Sequence, residues 1–265
     1  MAASIREADG AERRWIPAWV ASQQLTEPRN LPPRIGLAGN TLRQVIQPKA
    51  GGNRIRLAIS NQYGEAPLVV RDVAAAVSKG GSEVDPDRSV SLTFGGQPEV
   101  TIPPGVFLYS DPVAFNVTPF QNLAVTIFAL EAPQKVTGHP GSRATSYLAR
   151  RDRAGATGID LASEDSLAVD RWYFVSALEV FAEADASAIA IIGDSLTDGR
   201  GSTTNHNDRW PDVLARRLSE RPDARHWVVL NQGVGGGRLL RDGLGISALG
   251  RLDRDVIAQP GVRCL

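Results

Sequence analysis

Four kinds of residue pattern are scarce in this chain, and each scarcity excludes something. There is one cysteine in 265 residues, Cys264, so an intrachain disulfide and a cysteine-based zinc site are both ruled out. No apolar run approaches the roughly 20 residues that a membrane-crossing helix needs, so no membrane span is expected. Neither sign of charge prevails: 29 Lys and Arg stand against 29 Asp and Glu. No long-range field therefore favours nucleic acid or an anionic membrane as partner. The short clusters Arg13-Arg14 and Arg216-Arg217 read as solvated surface. Histidines number only three, His139, His206 and His226, which narrows the candidates for a general base. Met1 to Arg14 has no hydrophobic core of the signal-peptide kind and reads as a tail. The compartment stays open, since a trimmed exported chain would look the same.

What is present divides into two styles. From Trp15 to about residue 182 the pattern is all-β. Over 54–60, Ile55, Leu57 and Ile59 alternate with Arg54, Arg56 and Ser60; over 123–128, Leu123, Val125 and Ile127 alternate in the same way. Period-two alternation predicts strands with one buried face. Glycine, proline and asparagine punctuate these runs, as in Gly51-Gly52-Asn53 and Pro103-Pro104-Gly105. Many short strands with regular turns predict a sandwich of jelly-roll type. A last strand is expected over 172–180, and an acidic, alanine-rich stretch at 182–186 marks a boundary. The expected organisation is a tail at 1–14, a β-sandwich at 15–182 and an α/β segment at 187–265.

After that boundary Ala188-Ile189-Ala190-Ile191-Ile192 is a continuous apolar run. Such a run predicts a strand buried on both faces of a parallel sheet. A helix is expected from Arg209-Trp210-Pro211, with Pro211 in its first turn and Trp210, Val213, Leu214 and Leu218 as its apolar stripe. A second strand follows at 226–230 and then a glycine-rich loop, Gly233 to Gly237. Leu249, Leu252 and Val256 mark a further helix stopped by Pro260, and Val262 onward opens a third strand. The order β-α-β-α-β predicts part of a doubly wound parallel sheet.

The chemistry concentrates in Gly193-Asp194-Ser195-Leu196-Thr197-Asp198-Gly199, directly after the first buried strand. Open α/β sheets bind ligands beyond the carboxyl ends of their strands. A serine there presents its hydroxyl to the site, and its backbone N–H can stabilise an oxyanion. The alternative is a helix-capping turn rich in Ser and Asp. Thr197 stands where the G-x-S-x-G elbow would have glycine, so that motif is absent. The second signal is Asn231-Gln232-Gly233-Val234-Gly235-Gly236-Gly237-Arg238. Its glycines let a backbone N–H approach a ligand oxygen, though a plain permissive loop reads the same way. The phosphate-loop pattern G-x-x-x-x-G-K-[ST] is missing. Asp194 and Asp198 read as turn stabilisers that accept nearby N–H bonds. His139, in Gly138-His139-Pro140, reads as a surface turn. His206 lies in a loop 11 positions after Ser195, and His226 begins the second strand at the end opposite the serine. No metal-ligand spacing is found, and no cofactor is expected. The five tryptophans, Trp15, Trp19, Trp172, Trp210 and Trp227, read as packing residues.

These blocks resemble the SGNH/GDSL hydrolase superfamily: residues 193–199 are similar to its first block and 231–236 to its second. Segments 199–204, 209–212, 236–243 and 252–262 resemble the bacterial subgroup with an N-terminal β-sandwich. Segments 19–23, 41–46, 54–64 and 92–96 resemble that leading domain. The resemblance implies Ser195 as nucleophile and oxyanion N–H donor, Gly236 as a second donor, and Asp194, Asp198 and Asn231 as supporting residues. Gly237 departs from the pattern, which has asparagine after the two glycines. The resemblance also implies an oxyanion asparagine after the third strand and a terminal Asp-x-x-His supplying acid and base. Neither falls within these 265 residues, so both are expected outside them, on a second polypeptide or on further chain. Two functions follow as expectations. One is a serine esterase acting on a small acyl ester or an acetylated carbohydrate. The other is an inactive fragment whose sandwich binds carbohydrate or protein.

Overall fold

The structure is a computed structural model that describes residues 12–265 and the backbone of residues 5–6. Its strands, in chain order, begin with β1 (Ile5–Arg6), β2 (Glu12–Val20), β3 (Gln24–Leu25), β4 (Asn40–Ile46), β5 (Gly52–Ser60) and β6 (Leu68–Gly80). They continue with β7 (Glu83–Ser91), β8 (Glu99–Ile102), β9 (Phe107–Tyr109), β10 (Val113–Val117), β11 (Leu123–Glu131) and β12 (Thr137–His139). Then come β13 (Ser146–Arg150), β14 (Ser166–Val169), β15 (Trp172–Tyr173), β16 (Val175–Glu183) and β17 (Ser187–Gly193). Two helices, α1 (Ser195–Asp198) and α2 (Trp210–Ser219), precede β18 (Trp227–Gly233) and β19 (Val262–Cys264).

The β-rich region is two antiparallel sheets face to face. One runs β1-β2-β16-β5-β10 with β9 on β5; the other runs β14-β13-β4-β11-β6-β7 with β8 on β6. The alternation in β5 does what the pattern requires: Ile55, Leu57 and Ile59 are fully buried between the sheets, while Arg54 and Arg56 face outward. In β11 Leu123, Val125 and Ile127 meet them from the opposite sheet in one core cluster. The outer face of β11 is also covered. There Thr126 accepts from Arg43 Nε (2.9 Å), and Arg43, 1% exposed, donates onward to the Ser82 and Ala156 carbonyls. The strand expected over 172–180 is broken at Phe174, whose φ of 62° separates β15 from β16.

Only residues 184–186 separate β16 from β17, close to the expected boundary. The first long strand starts at Glu12, inside the segment expected as a tail; the rest of that tail reading, at 1–4 and 7–11, lies outside the described residues. Beyond the boundary a three-stranded parallel sheet forms in the order β18-β17-β19. Here three readings need correction. Ala188 and Ala190 are fully buried and Ala188 joins the sandwich core, but Ile189, Ile191 and Ile192 are only half-buried, so β17 is covered on one face rather than two. The helix at 249–256 shrinks to a single wide turn over Asp253–Ile257, closed by an Ala258 N–H to Asp253 carbonyl bond of 2.8 Å. Helix α2 turns a different face inward: Pro211, Asp212 and Ala215 are buried, while Trp210 is 48% exposed. The physical reason is Asp212, which Lys49 of the sandwich and its own neighbour Arg209 draw in.

Candidate active site

The turn after β17 is shaped by its own side chains. Asp194 caps α1, its Oδ1 accepting the Leu196 N–H at 2.9 Å. The Asp198 N–H returns to the Asp194 carbonyl at 2.9 Å, and the Ser195 carbonyl accepts from Gly199 (3.1 Å) and Arg200 (2.7 Å). Gly199 ends the turn at φ 113°, a left-handed value that suits glycine. Ser195 is half-buried at the start of this single turn, and its hydroxyl has no hydrogen-bond partner among the described residues.

The second loop lies against the first. In the parallel register Gly193 pairs with Gly233, so both strands end on the same edge of the sheet. The Val234 N–H donates to the Gly193 carbonyl at 3.1 Å, and a Cβ on Gly237 would sit 3.7 Å from Asp194 Cα. The Gly237 N–H bonds to the Val234 carbonyl at 2.9 Å, whereas the Gly236 N–H makes no such bond among the described residues. Gly236 has φ 72° and rests against the Leu244 side chain. Asn231 ties the two loops: its Nδ2 donates to the Thr197 carbonyl (2.8 Å) and its Oδ1 accepts the Gly233 N–H (2.9 Å). Gly233 must lack a side chain, because a Cβ there would collide with the Asp198 backbone.

Beneath the turn the sequence reading of two residues is overturned. Asp198 does not accept local N–H bonds; it is 3% exposed and pairs with His139 from the sandwich at 2.8 Å. His139 is no surface turn; it is 5% exposed, in β12, with Nδ1 donating to the Ser22 carbonyl at 2.8 Å. Both ring nitrogens therefore face acceptors, an arrangement satisfied by the imidazolium form. Burial alone would push the His139 pKa down. The charge and hydrogen bond of Asp198, with the Ser22 carbonyl, outweigh it and hold the pKa above its ordinary value despite the nearby Arg209 cation. Gly141 also packs on the Asp198 carboxylate, leaving no room for a Cβ. A cavity of about 30 Å³ lies here, lined by Trp19, Lys49, His139, Asp198 and Asn231 among others. Only a water-sized group fits such a space.

Two further polar clusters lock the turn and its flanks to the sandwich. Asp212 pairs with Lys49 (2.7 Å) and Arg209 (2.8 Å), and Arg209 also reaches the Ser142 carbonyl. Burial would raise the Asp212 pKa, but the two cations hold it below its ordinary value. On the other side Arg251 donates to Asp255 (2.7 Å), Ser22 Oγ (3.1 Å) and the carbonyls of Gln232 (2.6 Å) and Gly193 (3.1 Å). Arg254 joins through Asp255 (2.5 Å). Sequence reasoning missed these residues. The available signals were modest: Arg and Asp three apart at 209 and 212, and four apart at 251 and 255. Of the other histidines, His206 is exposed and His226 stacks on Trp227 at the far end of β18. Neither bonds to Ser195. No His, Cys, Asp and Glu cluster of metal-binding kind occurs among the described residues, and no helix of these is long and apolar enough to cross a membrane.

The Ser195 turn and the Gly236 loop thus leave the same carboxyl edge of the parallel sheet, the edge at which open α/β sheets bind ligands. Residues 191–258 match the GDSL-like Lipase/Acylhydrolase family, a match that supports the resemblance to the SGNH/GDSL superfamily. The matched stretch contains both loops and the Arg251–Asp255 pair. No curated protein matches the chain.

Proposed function

We propose that the chain is the nucleophile-bearing part of a serine ester hydrolase, with residues 187–265 the first strands of a doubly wound sheet and residues up to 182 a sandwich that braces it. One observation carries this reading: the Ser195 turn and the Gly236 loop leave one sheet edge together, joined by the Val234 N–H to Gly193 carbonyl bond. Ser195 Oγ attacks an ester carbonyl while a base removes its proton. The N–H groups of Ser195 and Gly236 hold the resulting oxyanion. The alcohol leaves with a proton, and water then cleaves the acyl-serine. Leu196, 67% exposed, and Leu244, against Gly236, supply apolar surface for the acyl group. The substrate is a small acyl ester or an acetylated carbohydrate.

The base comes from outside these residues. His139 is committed to Asp198 and Ser22, His226 lies at the opposite strand end, and His206 sits beside Asp208. A serine without its base is a poor nucleophile. Labelling with a fluorophosphonate, read by intact mass and peptide mapping, tests the nucleophile directly. A single adduct on Ser195 that disappears in Ser195→Ala is expected. No adduct, together with p-nitrophenyl acetate hydrolysis equal to that of Ser195→Ala, overturns the esterase reading.

A further inference from the structure

One buried cation beside the site has no part in the chemistry proposed above. Arg251 is 3% exposed, so it cannot touch a substrate held at Ser195. Its Nη1 donates to the Gln232 carbonyl (2.6 Å), the Asp255 carboxylate (2.7 Å) and Ser22 Oγ (3.1 Å), and its Nη2 to the Gly193 carbonyl (3.1 Å). Nε makes no bond among the described residues, so the whole grip lies in the two terminal nitrogens.

Two of those acceptors are the strand exits themselves. Gly193 is the last residue of β17, two before Ser195; Gln232 is the next-to-last of β18, four before Gly236. The final rung between the strands is the Val234 N–H to Gly193 carbonyl bond of 3.1 Å. The Gly193 carbonyl therefore accepts twice, once from the neighbouring exit and once from Arg251. A guanidinium is planar, with its donors fixed in a fork. A fork that holds one carbonyl from each strand fixes the spacing of the two exits. The amides of Ser195 and Gly236 hang from those exits.

The arginine is itself anchored. Its backbone belongs to the arm that returns from the Gly236 loop. There the Ala248 and Leu249 N–H groups bond to the Arg238 and Leu239 carbonyls (2.8 and 3.1 Å), and the Arg251 N–H bonds to the Ser247 carbonyl (3.1 Å). Asp255, four residues on, answers the charge and is held in turn by Arg254 (2.5 Å) and by the Ser22 hydroxyl of the sandwich (2.5 Å). One end of the link is thus fixed in the sandwich and the other grips the sheet edge. Oxyanion donors act only when both lie about 2.7–3.1 Å from the developing charge. A misplacement of about 1 Å costs on the order of 10²-fold in rate.

We propose that Arg251 is the positioning residue of the oxyanion hole: its forked hold on the Gly193 and Gln232 carbonyls sets the distance between the Ser195 and Gly236 N–H groups. The consequence for rate rests on the esterase reading; the hold on the two loops does not. The test compares the full chain with Arg251→Lys, which keeps the charge opposite Asp255 but has no fork, and with Asp255→Asn, which loosens the anchor. Arg43→Lys, a buried arginine of the sandwich with no link to the site, is the control. Circular dichroism verifies that each variant is folded.

The first readout is fluorophosphonate labelling of Ser195, resolved into a maximal rate and a half-saturating probe concentration. The phosphonyl oxygen enters the same hole as the ester oxyanion. Arg251→Lys should lower the maximal rate about tenfold and Asp255→Asn about threefold, with half-saturation unchanged in both. Arg43→Lys should alter neither quantity. The second readout is amide hydrogen exchange over 193–199 and 231–238, which should quicken about tenfold in Arg251→Lys and stay unchanged in Arg43→Lys. A wild-type maximal rate in Arg251→Lys overturns the proposal, as does an equal loss in Arg43→Lys. Should Arg251→Lys not fold, Asp255→Asn decides by the same two readouts. If the wild-type chain takes no label, the esterase reading fails on its own, and unchanged exchange in Arg251→Lys would then refute the hold on the loops.

Discussion

The sandwich and the parallel sheet are held by different physics. Between the two large sheets the contacts are almost wholly apolar: Ile55, Leu57, Ile59, Val125 and Ile127 are at or near zero exposure and fill one cluster. Where the parallel sheet meets the sandwich, Ala188, Val228 and Leu230 extend that cluster, but buried ions define the fit. His139–Asp198, Lys49–Asp212–Arg209 and Arg251–Asp255–Arg254 all lie there. Apolar burial scales with area and tolerates sliding. A buried ion pair tolerates little, because losing one partner strands the other charge in a low dielectric. The sandwich core thus supplies cohesion, and the junction supplies the position of the turn that carries Ser195.

The sharpest break in this comparison is chemical. Ser195→Ala should lower labelling and any ester turnover by at least about 10³-fold. Its stability should stay within about 0.5 kcal/mol of wild type in urea, since the Ser195 hydroxyl bonds to nothing among the described residues. A large stability loss would show the serine to be structural. Next in size is His139→Ala, which strands the Asp198 carboxylate and should cost about 3–5 kcal/mol. A double-mutant cycle with Asp198→Asn measures the coupling; additive losses would dismiss the pair as a determinant of the junction. Arg251→Met should cost less, about 2–3 kcal/mol, because Arg254 still serves Asp255 while the Gly193 and Gln232 carbonyls lose a donor. Chemical denaturation reads it.

The same junction has a pH signature. The folded-state pKa of His139 is raised above its unfolded value, so its contribution is complete below about pH 6.5 and is lost as pH rises through the folded value. Denaturation midpoints from about pH 6 to about pH 9 should therefore fall in the wild type relative to His139→Gln. Parallel profiles for the two proteins would contradict the assignment. Smallest of all, Trp210→Ala should change stability by no more than about 0.5 kcal/mol, because the ring is 48% exposed. A larger loss would restore Trp210 to the packing face of α2 that its spacing suggested.

Legibility in the sequence follows range. The alternation at Ile55, Leu57 and Ile59 reports a local pleat, and the strand is where the pattern puts it. The turn at 193–199 is equally local: Asp194 caps α1 as its position predicts, and Pro211 opens α2. His139 and Asp198 could not be read, because they meet across 59 positions and nothing near either names the other. The inward face of α2 departs from its apolar stripe for a related reason. A helical stripe counts apolar residues, and here the inward face is selected by a carboxylate seeking Lys49 and Arg209. The half-exposed isoleucines of β17 show the same limit, since an apolar run records what a strand tolerates and not how many layers cover it.

Ser22, 1% exposed in the short break between β2 and β3, gives the arrangement its final consequence. Its carbonyl receives His139, while its hydroxyl donates to Asp255 (2.5 Å) and accepts from Arg251 and Arg254. One small residue is thereby the rivet that joins two of the three ionic clusters. A change at Ser22 therefore reaches the floor of the serine turn and the 251–255 segment together.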